Sequence, residues 1–214
     1  MVIRDADAQQ DAAACAAIYA PYVSDTVISL EERPPTEHDL ADRIRRTMQT
    51  HPWLVAQDEH QVVGYAYATR HRERASYRWA ADVAVYVDPQ HHRRGVGRAL
   101  YETLFTRMTA QGLRVACAGI TLPNDASVGL HESLGFRPVG VYKNIGYKHG
   151  AWRDVGWWQL DLAGTDRPPS EQGPPTEPGP PTEPGPPTEP GPTTEPGPPT
   201  EPGPPADPRP HLGE

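Results

Sequence analysis

Along residues 1–164 the spacing of apolar positions switches between a strand period and a helical one, and the switches mark out eleven elements. Val2–Arg4 is a short apolar start. The Ala-rich run with Ala13, Ala14, Ala17 and Ile18 predicts a helix to about Tyr22, capped by Asp7 or Asp11. Residues 24–35 lack helical period and end in Pro34-Pro35. Thr36 and Asp39 have the spacing of a capping box and open a second helix to about Thr50. Trp53–Gln57 and Gln61–Thr69, joined by Asp58-Glu59-His60, predict a hairpin. A strand at Ala80–Val87 leads to a helix from about Gly95 to Ala110. Leu113–Leu122 reads as a strand and Asn124–Leu134 as a helix closed by Gly135. Pro138–Tyr147 and Val155–Leu162 are two final strands around a turn that contains Gly150. The order β-α-α-β-β-β-α-β-α-β-β predicts an α/β domain. Its mixed central sheet has flanking helices, a largely antiparallel first half and later βαβ crossovers.

The composition changes at Thr165. Glycine recurs every six residues from Gly173 to Gly203, and the unit between is Pro-Pro-Thr-Glu-Pro with small variations. Such a repeat has too little apolar surface to offset the entropy of ordering. Its prolines favour polyproline II, and its glycines interrupt any stiff rod. Residues 165–214 are therefore expected to be a disordered tail. The tail holds nine acids and two arginines, a net of −7. The whole chain carries −8, which leaves −1 for residues 1–164. The acidity belongs to the tail, and the folded part has no basic footprint for nucleic acid. No signal peptide, apolar span or lipidation motif is visible, so a cytoplasmic protein with no membrane partner is expected. Cys15 and Cys117 are too few for a disulfide framework and are expected in the core.

Chemistry concentrates first in His92-Arg93-Arg94-Gly95-Val96-Gly97-Arg98, between a strand and a helix. Helix N-termini offer unpaired N–H groups and partial positive charge, and glycines let a pyrophosphate approach them. The spacing fits neither a P-loop, which needs Lys-Ser or Lys-Thr, nor a dinucleotide fingerprint, because position 100 is Leu. It resembles the Gln/Arg-x-x-Gly-x-Gly/Ala loop of the GNAT N-acetyltransferases, with His92 where that pattern has Gln or Arg. An ordinary glycine turn is the alternative for the heptapeptide alone.

The resemblance narrows at Tyr77–Val87, Gly119–Phe136 and Gly146–Leu160, which together look like the phosphinothricin and arsinothricin N-acetyltransferases and their methionine-sulfoximine counterparts. It implies the GNAT fold and transfer of acetyl from acetyl-CoA, as co-substrate, to the α-amine of a small glutamate-mimic amino acid. By that resemblance Asp82 occupies the position of a catalytic Glu, one methylene shorter, and His131 that of an acid–base group. Pantetheine would lie along Val85, Tyr86 and Val87. The pyrophosphate would sit on Arg93, Arg94, Gly95, Val96, Gly97 and Arg98, and Asn124 would both cap its helix and touch the cofactor. Arg72 and Arg74 align with cations near the phosphinate, and Tyr77 supplies a hydroxyl. Leu30 stands where relatives have Phe. Trp152, Trp157 and Trp158 are assigned to the core and to a homodimer interface of the kind relatives have. No metal is expected. The alternatives are acetylation of methionine sulfoximine, its sulfone or another small amine; an acyl-CoA-binding module without turnover; and a tail that carries the function as a Pro-rich ligand.

Overall fold

The two apolar runs of residues 53–70 become a hairpin in the computed structural model, which describes residues 1–164. The expected tail lies outside the described residues. The elements are β1 (Val2–Asp5), α1 (Ala12–Ser24), α2 (Glu37–Met48), β2 (Trp53–Asp58), β3 (Gln61–Arg70), β4 (Ala80–Val87), α3 (Val96–Ala110), β5 (Val115–Leu122), α4 (Asp125–Ser133), β6 (Arg137–Lys148) and β7 (Ala151–Asp161). The strands form one seven-stranded sheet in the order β1-β2-β3-β4-β5-β7-β6. All neighbours are antiparallel except β4 and β5, which α3 connects as a crossover.

Side chains alternate across the sheet, so each face has its own core. Val83, Leu100, Leu104, Met108 and Ala116 pack with α3 on one face. Cys15, Ile18, Leu40, Ile44, Trp53 and Tyr65 pack with α1 and α2 on the other. Thr36 and Asp39 form the expected capping box. Asp11 takes the N-cap position of α1 without capping it. Its carboxylate is engaged instead by Arg4, at 2.7 and 2.8 Å, and by the Asp7 N–H. A bidentate Arg outcompetes a single backbone N–H for the same oxygens.

One assignment is corrected. Cys15 is in the core, but Cys117 is only partly buried, because its place on β5 turns it toward the face of Asp82. Of the three late tryptophans Trp158 is in the core, Trp157 is partly buried, and Trp152 is 62% exposed against Tyr147 near the tip of the β6–β7 hairpin. Among the described residues no helix is long and apolar enough to cross a membrane.

The aperiodic segment 24–35 is held by a buried cation. Lys148 Nζ donates to the carbonyls of Val23 and Ser29, at 2.6 and 2.7 Å. Leu30 then packs on Gly146, where a Cβ would come within 2.7 Å of it. A segment without its own secondary structure is thus fastened to the sheet.

Candidate active site

The site begins where a strand pair stops. β4 and β5 pair only at Ala80–Val115, Ala81–Ala116 and Asp82–Cys117, and beyond Asp82 they diverge. The Asp88 N–H donates to Val63, so the even-numbered residues of β4 direct their backbone groups toward β3. Val83, Val85 and Val87 direct theirs into the gap. Tyr86 therefore offers the gap no backbone group, and its ring packs against Tyr19 and Tyr22 on the α1 side.

The glycine turn closes one end of this gap. Arg93 (φ +61°) and Gly95 (φ +80°) both adopt left-handed backbone, a loop form that gathers N–H groups into an anion-binding concavity at the start of α3. Gly97 brings α3 close to its neighbours: a Cβ there would meet Leu130 at 3.3 Å. A groove of about 510 Å³ is lined by Val85, Tyr86, Val87, Arg93, Gly95, Val96, Gly97, Arg98 and Asn124, together with Tyr22 and Ser127. Arg94 does not line it. Arg98 donates to Ser133 Oγ at 2.7 Å. His92, the departure from the loop pattern, is bonded to the Tyr22 hydroxyl at 2.8 Å, and that hydroxyl donates to the Val87 carbonyl at 2.5 Å. The imidazole thus fastens the loop to α1 and β4.

At the other end, Asp82 pairs with Thr69 across β3–β4, and the chain turns back just beyond to place His71 over it. His71 Nδ1 lies 2.6 Å from Asp82 Oδ1. Burial pushes the Asp82 carboxyl upward, while the His71 bond and the Arg72 charge pull the other way. The raised carboxyl is the better proton acceptor. Tyr77 and Trp157 flank the His71 ring at 6.0 and 6.1 Å. Arg72 and Arg74 are exposed on the same loop, and Arg74 precedes a short 3-10 turn, Ala75–Tyr77.

Between the two ends a cavity of about 70 Å³ is lined by Ala84, Tyr86, Tyr101, Ser127 and His131 among others. Asn124 caps α4 by accepting the Ser127 N–H at 3.1 Å. His131 is buried. Its Nδ1 is 2.7 Å from the Ser127 carbonyl, so Nδ1 carries the proton and Nε2 accepts from the Tyr101 hydroxyl at 3.0 Å. Burial lowers its pKa and holds it neutral.

A gap between two parallel strands that runs from an anion-binding turn to a carboxylate–imidazole pair is built for a long phosphorylated thioester and a small nucleophile. The sequence model of the Acetyltransferase (GNAT) family matches residues 16–136. The chain belongs to this family. This acetyltransferase is 42% identical over 160 residues to the phosphinothricin N-acetyltransferase of Streptomyces viridochromogenes, covering 75% of this chain and 87% of that one. It is 36% identical over 163 residues to an L-methionine sulfoximine/L-methionine sulfone acetyltransferase of Salmonella typhimurium, covering 76% and 95%. Its structure is similar to that of a phosphinothricin acetyltransferase from Sinorhizobium meliloti solved with acetyl-CoA. The TM-score is 0.75 at 38% identity, over 79% of this chain and 92% of that one.

Two residues of the candidate site, His71 and Ser127, have no individual role that the sequence alone announces. His71 is one basic group in a charged loop, although the missing methylene at Asp82 signals a need for a second group. Ser127 is one residue of a long motif. For the turn itself, Gly95→Val forces a branched side chain into φ +80°, where no neighbour within 4 Å would be displaced and the cost is conformational. The expected result is a rise of at least about ten-fold in KM for acetyl-CoA, which is about 1.4 kcal/mol, with KM for the amine unchanged in initial-rate kinetics.

Proposed function

We propose that this enzyme transfers the acetyl group of acetyl-CoA to the α-amine of a small glutamate-mimic amino acid of the phosphinothricin or arsinothricin type. One observation carries the reading: the Asp82–His71 pair stands at 2.6 Å, where the β4–β5 gap opens, with His71 on the same loop as Arg72, Arg74 and Tyr77. An α-amine with a pKa near about 8 arrives mostly protonated and must lose a proton to attack. With Nδ1–H donated to Asp82, His71 has its lone pair on Nε2 to accept that proton, and the carboxylate stabilises the imidazolium formed. The amine nitrogen then bonds to the thioester carbonyl. The negative charge that develops on its oxygen meets the outward N–H groups of β4. Collapse breaks the C–S bond and expels CoA as its thiolate, and the second proton of the amine nitrogen passes to solvent as the neutral amide forms. His131, with both ring nitrogens engaged, positions α4 and leaves the Ser127 hydroxyl to donate to the thiolate; the hydroxyl stands 3.3 Å from its Nδ1. Arg72 and Arg74 suit a two-oxygen phosphinate or arsinate.

A second reading, a neutral methionine sulfoximine or sulfone as acceptor, draws support from the Salmonella relative. Exposed Val139, Val141, Ile145, Tyr147 and Trp152 support a homodimer formed through the β6–β7 hairpin. The two free thiols support a cytoplasmic setting. Acetyl-CoA consumption with phosphinothricin, arsinothricin, methionine sulfoximine, methionine sulfone and glutamate tests the proposal. Preference for the phosphinate or arsinate is the expected result. Turnover confined to the sulfoximine and sulfone would replace it with the second reading, and no turnover despite CoA binding would refute both.

A further inference from the structure

We propose that His71, Asp82 and Cys117 form a binding site for a thiophilic divalent cation, zinc foremost, and that its occupation switches the enzyme off. Asp82 and Cys117 are register partners across the parallel β4–β5 pair and present their side chains to the same face. His71 arrives from the β3–β4 loop. One ligating atom from each of the three residues falls within 4.8 Å of the other two. Nitrogen, oxygen and thiol sulfur from three residues, with a fourth position open to the cleft, is the donor set of zinc sites that keep an exchangeable ligand. The thiol selects against magnesium and calcium.

The geometry needs a small adjustment. Tetrahedral zinc holds its nitrogen and oxygen ligands roughly 3.3 Å apart and a sulfur roughly 3.6 Å from each, so the 2.6 Å hydrogen bond opens by less than an ångström and the thiol, within 4.8 Å of both partners, closes by at most a little over one. Burial, and then the Asp82 charge, push the Cys117 thiol up to about 11, so it is protonated without a cation. Coordination removes that proton to solvent, because a cation beside sulfur reverses the local electrostatics. The neutral imidazole moves its own proton from Nδ1 to Nε2 as Nδ1 takes the metal. One proton is released overall. The Arg72 charge, which reaches both Asp82 and Cys117, opposes the cation. The carboxylate and thiolate together outweigh it. Inhibition follows because Nε2 then carries a proton and can accept none, a consequence that rests on the role proposed for the His71–Asp82 pair.

The test uses the full-length, metal-stripped protein. Titration with Co²⁺ is expected to give a thiolate-to-cobalt charge-transfer band that saturates at one ion per chain and is displaced by Zn²⁺. Turnover, followed by loss of thioester absorbance, is expected to be inhibited by Zn²⁺ in competition with the amine, and not by Mg²⁺ or Ca²⁺. Cys117→Ser and Cys117→Ala should keep turnover, lose the band and weaken Zn²⁺ inhibition by about ten- to a hundred-fold. No band in the wild type, or equal Zn²⁺ inhibition of wild type and both variants, would overturn the site. A Cys117-dependent band with full turnover would leave the site standing and overturn its inhibitory role, together with the role given to His71.

Discussion

Asp82→Asn is expected to lower kcat/KM by about 10²- to 10⁴-fold, with the fold and acetyl-CoA affinity retained. The amide keeps the size of the carboxylate and can still accept from His71 Nδ1–H at its oxygen, so the 2.6 Å contact survives in form. What disappears is the charge that stabilises His71 once it has taken the amine proton. The loss should fall on kcat more than on either KM, because an interaction made mainly in the transition state has been removed. Steady-state kinetics with calorimetric acetyl-CoA binding separates this from unfolding. An acyl-CoA-binding module without turnover would show no such loss.

Reversing charge at both cations, Arg72→Glu with Arg74→Glu, is expected to raise KM for phosphinothricin by about 10²-fold or more, since a hydrogen bond to a charged group contributes about 1.5–3 kcal/mol. Both side chains are exposed and lie outside the β4–β5 gap, so acetyl-CoA affinity should hold. Methionine sulfone has no phosphinate and should lose less than about ten-fold. Parallel KM measurements on the two substrates check the difference, and equal losses would mean that the arginines act on something common to both.

The elements of this fold were legible because period and capping are local properties. Thr36 with Asp39, Asn124 ahead of α4 and Gly95 ahead of α3 each mark a helix start by short-range chemistry, and each does so in the structure. The order of strands in the sheet and the gap are not local. β5 stops pairing with β4 after Cys117 while it goes on pairing with β7, and no residue of β4 announces it. His71 was hidden for the same reason: eleven residues separate it from Asp82, and only the β3–β4 turn brings them together. Cys117 sits in an apolar run that reads as core on both faces, yet Asp82 keeps one face polar. By residue type Trp152, Trp157 and Trp158 read alike as core or interface, and only the register of the β6–β7 hairpin puts Trp158 inside and Trp152 near the tip, in solvent.

The central claim is that the Asp82–His71 pair takes the amine proton, and the pH dependence of kcat/KM in wild type and His71→Phe tests it most directly. Phe keeps a flat ring beside Tyr77 and Trp157 and removes both nitrogens. A wild-type rate that rises with pH is expected, because the site can take the amine proton only when it does not already hold one. In His71→Phe that limb should vanish, with kcat/KM down by about 10²-fold or more. A limb in the same place and a rate near wild type in His71→Phe would contradict the claim.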